Sequence, residues 1–64
     1  ARKSSGAFIN HLSIAAGSLA ELETQIMLAE RLNLCPKDLS QSLLACADEI
    51  GRMLTGLKAS LTNS

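Results

Sequence analysis

Seven apolar positions in the first half of the chain recur in steps of 4, 3, 4, 3, 4 and 3: Phe8, Leu12, Ala15, Leu19, Leu22, Ile26 and Ala29. That spacing keeps one stripe in line on a helix, the pattern of a helix packed nearly parallel or antiparallel to another. It predicts a helix over about 5–34. Ser4 or Ser5 is the expected N-cap, since its hydroxyl can accept from a free backbone N–H of the first turn. Ile9 and Ala16 widen the stripe on one side, which suits a bundle where each helix touches two neighbours.

Pro36 breaks the pattern. It has no N–H and a fixed φ, so it suits the first position of a new helix, with Cys35 as its N-cap and Asp38 favouring its dipole. The second helix is expected over about 36–62. Its seam is Leu43, Ala47, Ile50, Leu54, Leu57 and Leu61, with a parallel stripe of Leu39, Cys46, Met53 and Ser60. Asp48 and Arg52 stand four apart with the acid first, the order that supports a helix. The polar tail 62–64 is expected to fray. A connection this short makes the two helices antiparallel neighbours.

The fold expected is therefore all-α, an antiparallel helical hairpin over residues 1–64. Composition agrees. There are 12 Leu and 9 Ala, and the β-branched residues are 4 Ile and 3 Thr with no Val, too few for a sheet. At 64 residues the core is marginal unless it is stapled or shared. The seams point to Leu12, Leu19, Leu22, Ile26, Ile50, Leu54 and Leu57 as core. Both stripes are wider than one partner can cover, so a lone hairpin would leave a large apolar patch in water. The hairpin reads as half of an up-down four-helix bundle, completed by missing N-terminal helices or by a second copy.

Charge narrows the function. Six basic and six acidic residues cancel, whereas a nucleic-acid module usually shows a basic excess or stripe. Arg2 and Lys3 are the one adjacent basic pair and the candidate nucleic-acid contact. No apolar run approaches a membrane span. Cys35 and Cys46 are too few for a disulfide framework, and eleven residues along an intact helix hold them too far apart to bridge. With no secretory signal visible, a reducing, cytoplasmic setting is the simplest expectation.

No constellation in the sequence suggests catalysis, a metal or a cofactor. His11 has no acid within about three turns, so it reads as a surface side chain. Cys46 reads as packing. Glu21 and Glu23 lie about 200° apart around a helix, which rules against a paired carboxylate. Glu23 falls beside the seam and needs a partner, so Ser18, Glu21 and Glu23 are the expected polar contacts between helices. Gly17, Gly51 and Gly56 sit inside helices at a cost, which implies close helix approach or a kink.

Arg2-Lys3-Ser4-Ser5, Phe8-Ile9-Asn10, Ile14-Ala15 and the run Gly17-Ser18-Leu19-Ala20-Glu21-Leu22-Glu23-Thr24-Gln25 resemble a bacterial four-helix-bundle family. Its members were first noticed as proteins encoded by intervening sequences in 23S ribosomal RNA genes. Asp48-Glu49-Ile50-Gly51-Arg52-Met53-Leu54, then Gly56-Leu57 and Ser60-Leu61, resemble that family's last helix. The resemblance covers nearly the whole chain and implies its place as the last two of four helices, with Arg2 matching the end of a Glu-Gly-x-x-Arg segment. It implies a cytoplasmic bundle, commonly a ring-like homopentamer, without known enzymatic activity. A related branch, the accessory proteins of diversity-generating retroelements, binds reverse transcriptase and nucleic acid.

The function expected is thus a non-enzymatic, oligomeric assembly or scaffold protein. Two alternatives compete with it. One is a nucleic-acid-binding accessory protein of the retroelement or ribosomal-RNA intervening-sequence type, and the other a self-contained hairpin homodimer that binds RNA.

Overall fold

A computed structural model describes the backbone of residues 2–62 and the side chains of residues 6–62. Two helices make up the fold: α1, Arg2–Arg31, and α2, Lys37–Thr62. They pack antiparallel as a hairpin with Cα extents of 47 × 15 × 10 Å. Among the described residues there is no strand, and no helix is long and apolar enough to cross a membrane.

Both helices depart slightly from the expected bounds. α1 starts at Arg2, so Ser4 and Ser5 lie in helical backbone and not at a cap; their side chains, with those of Arg2 and Lys3, lie outside the described residues. α2 continues through Thr62, with Asn63 and Ser64 outside the described residues. Thr62 Oγ1 lies 3.0 Å from the Lys58 carbonyl and 3.1 Å from that of Ala59, and ties the last turn back on itself.

The turn is built by Asn33 rather than by proline alone. Asn33 has φ 60°, a left-handed conformation that Asn tolerates better than most residues with a Cβ. It lets the Leu34 N–H donate to the Ala29 carbonyl at 2.8 Å and the Asn33 N–H to the Glu30 carbonyl at 3.0 Å. This is a Schellman closure, which satisfies carbonyls that the end of α1 would otherwise leave free. Pro36 then occupies the cap one residue later than expected: its carbonyl accepts the first bond of α2, from the Ser40 N–H at 2.9 Å. Cys35 stands outside the helix, before that cap.

The contact between the helices differs from the expected seam. On α1 the buried and half-buried edge is Ile9, Leu12, Leu19, Glu23, Ile26 and Glu30, with Ala29 half-buried near the turn. On α2 it is Ser40, Leu44, Ala47, Gly51, Leu54 and Leu61. Leu12, Leu19, Ile26 and Leu54 thus face inward as expected. Leu22, Ile50 and Leu57 do not; they are 42–47% exposed. The contact edge is turned by one heptad position, about 50°, from the expected stripe. Size explains the turn. Ser40, Ala47 and Gly51 let two backbones close, and the bulky row stays outside that contact.

Candidate functional site

Helical geometry sorts the remaining side chains onto two opposite faces of this two-helix layer. At 100° per residue, positions seven apart stack in one row, and in an antiparallel pair equivalent rows of the two helices rise on the same side. One face carries Phe8, Ala15, Leu22 and Ala29 from α1 beside Leu43, Ile50 and Leu57 from α2. Its large members are 42–47% exposed. Leu39, Cys46 and Met53 extend it along the outer edge of α2, and Met53 is 67% exposed. No side chain in these rows is ionisable except the Cys46 thiol, so what the face can do is bury itself against another apolar surface.

The other face is a shallow groove of about 560 Å³, lined by Ala16, Ala20, Gly51 and Thr55 with Glu23, Asp48 and Arg52. Asp48 and Arg52 form the expected ion pair at 2.9 Å. Both partners are exposed, so the pair adds only a few tenths of a kcal/mol.

Glu23 is half-buried in this groove, whereas Ser18 and Glu21 are exposed on other sides of α1. The structure does not bring these three together. A different polar contact crosses the hairpin among the described residues, from Ser40 Oγ to the Glu30 carboxylate. A signal for it was present in the sequence. Glu30 continues the seven-residue series Ile9, Ala16, Glu23, so both carboxylates share the row beside Leu12, Leu19 and Ile26.

His11 is exposed. Cys35 and Cys46 are free thiols; Cys46, expected to be packed, is exposed because its row lies on the uncovered side of α2. Gly51 matches the expected close approach in part, since a Cβ there would meet Leu19 Cδ2 at 3.5 Å, an ordinary contact. At Gly17 and Gly56 a Cβ would meet nothing within 4 Å, so packing inside the hairpin does not explain them. Among the described residues, no three His, Cys, Asp or Glu side chains gather as a metal-holding group.

No curated protein and no solved structure matches the chain. A family model does, that of the 23S rRNA-intervening sequence protein, over residues 1–56. The chain belongs to the 23S rRNA-intervening sequence protein family.

Proposed function

We propose that this chain is a non-enzymatic assembly element of the bacterial cytoplasm, supplying two helices to an up-down four-helix bundle within a homo-oligomer. One observation carries the reading: the continuous row of exposed large side chains, Phe8 and Leu22 beside Leu43, Ile50 and Leu57, at 42–47% exposure. A second layer of helices is the surface that fits this shape, because heptad rows accept helices at shallow crossing angles. Family membership supports the same architecture, and the ring-like pentamers implied by the resemblance are assemblies of such bundles. The described cations do not support a nucleic-acid role. Arg31 and Lys37 lie at the turn, Lys58 near the far end, and Arg52 is paired with Asp48.

Sedimentation equilibrium of the chain, with circular dichroism, tests this. The expected result is a helical species heavier than one chain. Ile50→Glu is expected to shift it toward monomer. A stably helical monomer that does not associate contradicts the reading.

A further inference from the structure

We draw no further inference here: the strongest candidate, the shallow groove on the side of the hairpin away from the apolar face, where Ala16, Ala20, Gly51 and Thr55 surround the half-buried Glu23, is a stripe of small side chains, and nothing in the structure shows what covers it.

Discussion

Ser40 Oγ donates to the Glu30 carboxylate across the hairpin, beside the turn, with Ser40 wholly buried. The Lys37 carbonyl lies 2.9 Å from the same hydroxyl, so the oxygen sits between two acceptors with one proton to share. A buried hydroxyl is tolerated where it is bonded, and a half-buried carboxylate where it has a donor. The pair therefore satisfies both groups and holds the first turn of α2 against the last turn of α1. Together with the Asn33 closure, it fixes where α2 begins along α1.

Removing the hydroxyl should loosen that junction. Ser40→Ala is expected to cost about 1 kcal/mol, because the bond is charge-assisted but Glu30 can turn to water for a replacement. Glu30→Gln should cost less, since its amide oxygen still accepts. Urea unfolding at fixed protein concentration measures both, and the double substitution should reveal non-additive coupling. Additive losses would mean that the two side chains act independently.

Asn33 carries the turn through its left-handed backbone. Asn33→Gly should be neutral or slightly stabilising, and Asn33→Ala should cost about 1 kcal/mol. Thermal unfolding followed by circular dichroism separates the two. Equal melting of the alanine variant and the parent would show that the turn does not depend on this residue's conformation.

Much of this architecture was legible in the sequence. The 4-3 spacing from Phe8 to Ala29 and the stop at Pro36 predicted two antiparallel helices, and two helices form. Which side of each helix meets the other was not legible. Periodicity locates an apolar stripe, but a stripe wide enough for two neighbours leaves open which half the first neighbour takes. Leu22, Ile50 and Leu57 belong to the seam by spacing, yet they face away from the hairpin contact. No spacing or motif marks Ser40, and only the depth of the turn makes it the most buried of the described side chains. Pro36 pointed to the right break, but the Schellman closure at Asn33 shifted the cap by one residue.

Glycine tests whether the helices are limited by their own propensity. Gly17 and Gly56 have open space where a Cβ would go, so each substitution by Ala should stabilise the helix by about 1 kcal/mol. Gly51→Ala should also be tolerated, because its Cβ would make an ordinary 3.5 Å contact with Leu19 Cδ2. Melting temperatures at one concentration give the stability, and sedimentation gives the assembly. A variant more helpful to helicity yet poorer in association would place that glycine against a neighbouring helix.

The two faces of the hairpin should respond oppositely to charge. Leu22 and Ile50 are 47% and 43% exposed on the apolar face. If that face is covered in the assembly, a carboxylate at either position must be buried without a partner or must keep the layers apart. Leu22→Glu and Ile50→Glu are therefore each expected to weaken association by at least a hundredfold, equivalent to about 3 kcal/mol. Thr55→Glu, in the groove on the opposite side, introduces the same charge on a helix of the same length. It should leave association within about threefold of the parent. Sedimentation equilibrium across a range of concentrations measures all three. Equal effects from the two faces would mean that added negative charge, not loss of the apolar surface, drives dissociation. A large effect from Thr55→Glu alone would move the interface to the groove.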